Sequence, residues 1–449
     1  MKRTILWMVI IITCLSLVSV FTLAGCKEEA RAKEEVAAEE EAVAAEEEEE
    51  FTKEVTLSVS HPWHGADAHA PFIEWAFADF QEKYPNIKID NNEIPGESFR
   101  DKVRSDFMGD VATDIVLWYG GAEAYDFVRE DMFLDLTEVI KPMEDQFMFQ
   151  TLVNVSFDGK TYGLPTSQNF FAFYLNKDIY AKYGFEYPKT YEELKEQVKQ
   201  FKEDGLIPIM LPGANFGVVQ HFYSYIANQV TDAGDFEAAS YAEEGKSYDD
   251  PGFVKAAEII AELYTLGAFD PEVDATPMPS VEALFAEEEG AMYWAGIWRV
   301  GSLPDEVREK MQPILFPEVE GFAENANVAT VQTEMAWFVN KSIEEDPDKL
   351  EAVKIFLKYF GSNEVAKKHL DLTDTIIPVN KDLDLSNASN AVRESVKLVE
   401  NAELRPFLRY YQSPAQGSAT NEMTWNLVNG RGTVEDNLKL LLDISPNKR

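Results

Sequence analysis

Apolar residues recur along the chain in two patterns that alternate from residue 54 onward. Residues 54–60 alternate between apolar and polar positions, which is typical of a half-buried strand. Residues 70–84 repeat aromatic residues at helical spacing until Pro85 ends the pattern. The next segments continue the alternation, with a strand pattern at residues 87–90, a helical pattern at 99–108 and a strand pattern at 114–117. This order of strand and helix predicts a mostly parallel sheet covered by helices.

A second α/β unit begins near residue 161. Strand patterns occur at residues 162–164, 170–176, 207–211, 291–295 and 331–340. Helical patterns occur at residues 177–183, 191–204, 217–229, 252–266, 281–287, 349–360, 391–402 and 433–442. No internal repeat of fixed period is visible, and a length of 449 residues fits two large domains.

The first 26 residues have the pattern of a secretory signal. Lys2 and Arg3 form a basic start, residues 5–24 are apolar, and residues 23–26 are LAGC. The LAGC motif resembles the bacterial lipobox, whose cysteine is acylated and becomes the first residue after cleavage. We therefore expect residues 1–25 to be removed and Cys26 to carry the lipid, with acyl chains such as palmitate. A transmembrane anchor is the alternative interpretation.

Residues 26–50 are expected to form an acidic tether. Residues 27–50 contain twelve Glu against three Lys or Arg and show no apolar periodicity, so this segment should be a self-repelling spacer. The whole chain has a net charge of −40, and residues 51–449 by themselves have −33. Such a charge repels nucleic-acid phosphates and anionic lipid head groups, which excludes a nucleic-acid reader and a basic membrane binder.

Few motifs in the sequence indicate metal or covalent chemistry. Both cysteines fall within the first 26 residues, which rules out a disulfide framework and a cysteine metal site. His61, His64 and His69 with Asp67 leave a metal site open as an alternative, but we expect no metal and no cofactor. There is no G-x-S-x-G, H-E-x-x-H or P-loop motif, so we expect a binding protein rather than an enzyme.

Three segments resemble a known family, and their order and spacing agree over nearly all of residues 54–445. Residues 159–177 (GKTYGLPTSQNFFAFYLNK, followed by Asp-Ile), 113–116 (TDIV) and 289–299 (EGAMYWAGIWR) are similar to extracellular solute-binding proteins, family 1, of ABC importers. The resemblance implies an α/β, two-lobed, periplasmic-binding-protein-like (type II) fold with hinge crossovers and a ligand cleft between the lobes. It also implies permease subunits as partners, and we expect a monomer on the outer face of the cytoplasmic membrane or in the periplasm.

The same resemblance sets the expected domain boundaries. One lobe is expected to combine residues 51–164 with 322–361. The other lobe is expected to combine residues 165–321 with 362–449.

Candidate ligand-binding residues follow from where strands end. Ligands of open α/β sheets lie outside the carboxyl ends of the strands, so the cleft should be lined by residues close to those ends. The residues near predicted strand ends combine aromatic rings with planar hydrogen-bonding groups, the mixture that binds sugars through ring stacking and vicinal hydroxyls. The candidates are Trp63, His64, Glu97, Asp114, Trp118, Tyr119, Gln168, Asn169, Trp294, Trp298 and Arg299.

Each of these candidates has a structural alternative. Trp118 and Trp294 can equally be core residues, Asp114 can be a structural cap, and Trp425 is a weaker ligand candidate from the resemblance. The predicted function is capture of a carbohydrate for an ABC importer. One alternative is a surface lipoprotein enzyme that acts on polysaccharide, because the many carboxylates of the chain could include a catalytic pair. The other alternative is a binding protein for a peptide, a polyamine or an osmolyte.

Overall fold

The computed structural model describes residues 51–446 apart from 66, 95–97, 323–326 and 334. The predicted signal segment, the acidic tether, Cys26 and Glu97 lie outside the described residues. In the part of the chain that is described, no helix combines the length and the apolar character needed to cross a membrane.

Strands and helices alternate through the described chain. The strands are β1 Val55–His61, β2 Ile87–Glu93, β3 Ile115–Trp118, β4 Ser156–Phe157, β5 Lys160–Thr161, β6 Gly163–Pro165, β7 Gln168–Asn176, β8 Ile207–Met210, β9 Gly290–Gly296, β10 Met311–Ile314, β11 Val328–Thr333, β12 Ala336–Val339 and β13 Glu403–Arg405. The α-helices are α1 Ala70–Lys83, α2 Ser98–Met108, α3 Ala122–Arg129, α4 Thr137–Ile140, α5 Phe149–Val153, α6 Lys177–Tyr183, α7 Tyr191–Glu203, α8 Phe216–Val230, α9 Asp235–Tyr241, α10 Pro251–Thr265, α11 Met278–Ala286, α12 Asp305–Lys310, α13 Pro347–Phe360, α14 Asn363–Thr373, α15 Asn390–Asn401, α16 Pro414–Val428 and α17 Val434–Leu442.

The first lobe is built on a five-stranded sheet in the order β2-β1-β3-β12-β6. β1 runs parallel to β2 and β3, and β12 returns antiparallel to β3 and β6. Neighbouring residues of β12 point to opposite faces of this sheet. Trp337 packs 5.1 Å from Phe360 on one face, and Phe338 stacks 4.7 Å from Phe133 on the other, in ring-centroid distances. The sheet is therefore buried on both faces by aromatic clusters, and Trp337 is a core residue.

The second lobe is built on a sheet in the order β13-β11-β7-β9-β8, with β10 also paired to β7. The central strand β7 is nine residues long and almost wholly buried. Its side chains alternate between two cores: Phe171 and Phe173 face the helices α8, α10 and α16, and Phe170 and Tyr174 face α15 and its neighbours. The apolar segment FFAFYL thus lies at the centre of the lobe, because only a strand covered on both sides buries every residue of such a run.

Within the described residues, the chain crosses between the two sheets at three places. It passes from β6 to β7, and it returns between β11 and β12, since β11 pairs with β7 and β12 pairs with β3. The single strand predicted at 331–340 is therefore two strands in two sheets, and the predicted boundary at 322 precedes β11. Helix α14 packs on α1 of the first lobe, so the last crossing follows Thr373 rather than residue 361.

Helix α16 has no counterpart among the helices predicted from periodicity. Its buried residues mix polar side chains with apolar ones, and the polar side chains are Gln416, Thr420, Asn421 and Thr424. Hydrogen bonds inside the lobe stabilise Gln416, Thr420 and Thr424, such as Gln412 Nε2 donating to Thr420 Oγ1 at 2.7 Å. A search for apolar periodicity cannot detect a helix of this kind.

Candidate functional site

The edges of the two sheets face each other across a cleft. In the first lobe, the segment that follows β3 contains Gly121 and Glu123. In the second lobe, the segment that follows β13 contains Arg409 and Tyr410. A Cβ atom on Gly121 would lie 2.2 Å from Cδ2 of Tyr410, and Arg409 Nη2 lies 3.6 Å from Glu123 Oε1. The carboxyl ends of β3 and β13 therefore meet, at the position where open α/β sheets bind ligands.

An aromatic wall on the second lobe borders this cleft. Trp298 follows the end of β9 and is half-buried, with its ring 4.9 Å edge-on from Phe171. Phe171 lies 5.1 Å from the imidazole of His221, which in turn lies 4.8 Å from Phe407. A Cβ atom on Gly296 would lie 1.6 Å from Trp298 Cζ3, so only glycine at this position allows the indole to lie there.

Three guanidinium groups and one carboxylate lie at the same level of the cleft. Arg100 Nε donates to Glu123 Oε2 at 3.0 Å, and its guanidinium lies 3.9 Å from the centroid of the Tyr119 ring. Arg104 Nη2 from the first lobe lies 3.6 Å from Glu123 Oε2. Arg409 from the second lobe also lies 3.6 Å from this carboxylate. Glu123 thus joins positive groups of both lobes.

His221 is neutral at physiological pH. Burial lowers the pKa of His221 to about 3, and the nearby positive charges of Arg409 and Arg100 act in the same direction. Its Nδ1 is buried and has no hydrogen-bond partner among the described residues. A neutral imidazole has one donor and one acceptor nitrogen, so it can bind a hydroxyl group without introducing a charge.

This pKa gives a testable pH dependence. Between about pH 6.5 and pH 3 the unfolded chain takes up a proton at residue 221 that the folded chain does not, so stability must fall as the pH falls through this range. We expect His221→Gln to reduce the slope of unfolding free energy against pH by up to about 1.4 kcal/mol per unit. Urea unfolding of both proteins between pH 7 and pH 4 measures this slope, and an unchanged slope contradicts the assignment.

Four of the sequence-predicted aromatic residues lie in this region. Trp298 and Tyr119 are half-buried at the cleft. Trp118 and Trp294 are completely buried directly beneath it. Trp118 Nε1 donates to the Glu123 carbonyl oxygen at 3.2 Å, and Trp294 stacks 4.7 Å from Phe171. The two buried indoles therefore support the residues that line the cleft, which matches their structural alternative.

Three other predicted residues are engaged in structural interactions. Asp114 precedes β3 and so lies at the opposite end of that strand, where it accepts hydrogen bonds from Ser58 and Lys349. Gln168 Nε2 donates to the Pro378 carbonyl oxygen at 2.8 Å. Arg299 forms a two-point ion pair with Glu282, at 2.7 and 2.9 Å. The structure thus provides protein partners for each of these polar groups.

The remaining predicted residues lie close to the sheet edges without joining the charged group. Trp63 is buried and stacks 4.5 Å from His69, and His64 next to it is half-buried. Asn169 lies near the start of β7, and its Oδ1 is buried without a described hydrogen-bond partner.

The histidines considered for a metal site have other neighbours. His61 Nε2 lies 2.7 Å from Asn91 Oδ1, and His69 Nδ1 lies 3.0 Å from His369 Nε2. Within the described residues, no three His, Cys, Asp or Glu side chains are placed to hold a metal ion.

The sequence-based prediction missed Arg100, His221 and Arg409. Arg409 follows a strand of only three residues, which is too short to detect from alternation. His221 was assigned to an apolar helix, although Gln220 and His221 form a polar break in its apolar pattern. Such a break near a helix start was the one signal that could have identified it.

Comparison with known proteins supports the fold and gives the family. Two solved structures share the fold over 86% of this chain: one from a study of xylan utilization by Caldanaerobius polysaccharolyticus (TM-score 0.76, 22% identity, 99% of that chain) and a chitin oligosaccharide binding protein (TM-score 0.76, 20% identity, 97% of that chain). This similarity confirms the two-lobed α/β fold that the resemblance implied.

Sequence similarity extends over shorter segments. An uncharacterized ABC transporter extracellular-binding protein of Pyrococcus horikoshii is 23% identical over 252 residues, which cover 55% of this chain and 56% of that protein. The chain spans about half the length of the curated relatives it matches. Residues 64–367 match the family described as bacterial extracellular solute-binding protein. The chain belongs to this family.

Proposed function

We propose that this protein is the lipid-anchored, substrate-binding component of an ABC importer, which captures a carbohydrate between its lobes and delivers it to the membrane permease. The observation that carries this proposal is the composition of the cleft. Half-buried Trp298 and Tyr119, the neutral imidazole of His221 and the guanidinium of Arg409 come from both lobes and lie at one level.

Sugars need this combination of groups. The C–H face of a pyranose can stack on the indole of Trp298, and its hydroxyls can exchange hydrogen bonds with His221 and the arginine side chains. The related structures named above come from work on xylan utilization and on chitin oligosaccharide binding, which also favours a carbohydrate ligand. A polyamine is disfavoured because its positive charges would meet three guanidinium groups.

A thermal-shift screen over mono- and oligosaccharides tests this function. A ligand that binds the folded state raises its stability by RT ln(1 + [L]/Kd), so a true ligand shifts the melting temperature in proportion to the logarithm of its concentration. The sugar that raises the melting temperature should be recovered intact after prolonged incubation with the protein. Cleavage products would instead support the polysaccharide-active enzyme, and a shift by peptides or osmolytes alone would contradict the carbohydrate assignment.

The anchor has its own prediction. Cys26→Ser, expressed in a bacterial host that processes lipoproteins, should release the protein from the membrane fraction, because stable anchoring by acyl chains requires the lipid on that sulfur. A matched Cys14→Ser variant should remain bound, since residue 14 lies in the segment that cleavage removes. Fractionation and immunoblotting measure both, and retention of Cys26→Ser on the membrane contradicts the lipoprotein hypothesis.

A further inference from the structure

The charge of the cleft is opposite to that of the protein. The chain as a whole has a net charge of −40. At the cleft, however, Arg100, Arg104 and Arg409 are gathered around Glu123, which leaves an excess of two positive charges among these described groups. Guanidinium groups of like charge repel one another, so a second anion placed between Arg104 and Arg409 would be bound favourably.

Glu123 does not use the hydrogen-bonding capacity of two of these arginines. Its carboxylate accepts from Arg100 at 3.0 and 3.3 Å, whereas Arg104 and Arg409 each lie 3.6 Å away, too far for a good hydrogen bond. Arg104 and Arg409 form no other ion pair or hydrogen bond with a described side chain. Burial and the neighbouring Arg100 and Arg104 lower the pKa of Arg409, as expected for a cation with too few anions around it.

A cavity lies beside these two arginines. It has a volume of about 120 Å³, which is room for a charged group such as a carboxylate. Both lobes line it, through Arg104 and Glu123 on one side and Arg409 on the other. Asp126 and Arg129 at its rim are exposed and lie 3.5 Å apart, so their charges balance each other.

The cavity lies near the proposed sugar site, because Arg409 lines it and is close enough to His221 to lower the pKa of that imidazole. Arg409 is two residues from Phe407, whose ring contacts the imidazole of His221. His221 also contacts the ring of Phe171, and Phe171 contacts the indole of Trp298. A sugar ring on the aromatic wall could therefore extend a substituent toward the arginines.

We propose that the cleft selects an acidic sugar, whose carboxylate or sulfate group lies between Arg104 and Arg409. This inference rests on the proposed carbohydrate function and narrows its ligand class from neutral to anionic sugars. A single guanidinium group binds a carboxylate or a tetrahedral oxyanion through two parallel hydrogen bonds, so Arg104 and Arg409 together offer several donors to one such group.

Calorimetric titration with matched sugars tests the proposal. The pairs are glucuronate and glucose, glucose 6-sulfate and glucose, and trigalacturonate and its methyl ester, which differ chiefly in charge. We expect the anionic member of at least one pair to bind about tenfold tighter or more. The pair that shows this preference distinguishes a carboxylate ligand from a sulfate ligand, and the preference should shrink as salt is raised toward about 0.2 M.

Arginine variants test where the anionic group of the sugar binds. Arg409→Gln and Arg104→Gln should each weaken binding of the charged sugar about tenfold more than binding of its neutral partner, so that most of the preference is lost, since the aromatic wall is untouched. Arg129→Gln is the matched control, because it removes the same charge from the rim, where Asp126 already balances it, and it should keep the preference.

The outcomes separate this inference from the proposed function. Neutral sugars binding as tightly as their charged partners would overturn the inference and leave the carbohydrate function intact. A preference that survives both arginine variants would overturn it as well, as would an absence of binding by every anionic probe. Succinate or inorganic sulfate binding that depends on Arg409, with no sugar bound, would support the anion site and overturn the carbohydrate function.

Discussion

Trp298→Ala should weaken sugar binding at least about thirtyfold while leaving the unliganded protein folded. Truncation of a central aromatic residue in a binding site commonly costs about 2 kcal/mol or more in affinity. Trp298 is half-buried and rests on Gly296 and Phe171 at the edge of the core, so its loss removes a stacking surface rather than the centre of a packed cluster. Titration with the sugar from the thermal-shift screen, together with urea unfolding of the free protein, measures both effects.

Two other tryptophans serve as controls for this prediction. Trp75 is also partly exposed but lies on α1, under Lys368 and away from the cleft, so Trp75→Ala should leave affinity unchanged. Trp337 is completely buried in the first lobe, and Trp337→Ala should lower stability by about 3–5 kcal/mol. If Trp298→Ala behaves like Trp337→Ala and binds sugar normally, Trp298 belongs to the core and not to the site.

Asp114→Ala should destabilise the protein by roughly 3 kcal/mol without weakening ligand binding. The Asp114 carboxylate is buried and accepts from the Ser58 backbone N–H, the Ser58 hydroxyl and Lys349 Nζ, at 2.8 to 2.9 Å. Its removal leaves a backbone donor and a half-buried ammonium without their partner, which is far more unfavourable than the loss of an exposed ion pair. Urea unfolding and sugar titration on the same variant give both quantities.

Lys349→Met provides the matched test of this ion pair. It removes the cation and keeps the hydrogen bonds from Ser58, so the loss of stability should be smaller than for Asp114→Ala. The double variant should lose less than the sum of the two single changes, because each one removes the same interaction. A large loss of sugar affinity in Asp114→Ala, with stability preserved, would instead restore Asp114 to the ligand-binding residues predicted from the sequence.

The alternation of apolar and polar residues determined most of the local structure. Helices with a clear apolar stripe, such as α1 and α13, and the buried strand β7 lie where their patterns predicted them. These features depend on neighbours along the chain, and a period of 3.6 or 2 residues records which face is buried. The resemblance, carried by residues 159–177 and two shorter segments, supplied the family and the two-lobed fold.

Only the tertiary structure determined the features that depend on contacts between residues far apart in the chain. The sequence pattern predicts a single strand over residues 331–340, but hydrogen bonding to β7 and to β3 divides them between two sheets. Helix α16 buries the polar side chain of Gln416, whose Nε2 donates to the carbonyl oxygen of Ser240, 176 residues away. Asp114 follows the same rule, since Lys349 lies 235 residues away.

The charged site shows this limit most clearly. Glu123 and Arg409 meet only because the edges of two sheets face each other, and nothing in either local sequence records that contact. The sequence could place aromatic and planar polar residues near the ends of strands, since strand ends are a local property. Which of those residues converge on one point is set by the crossing of the chain between lobes, and that crossing is a property of the whole fold.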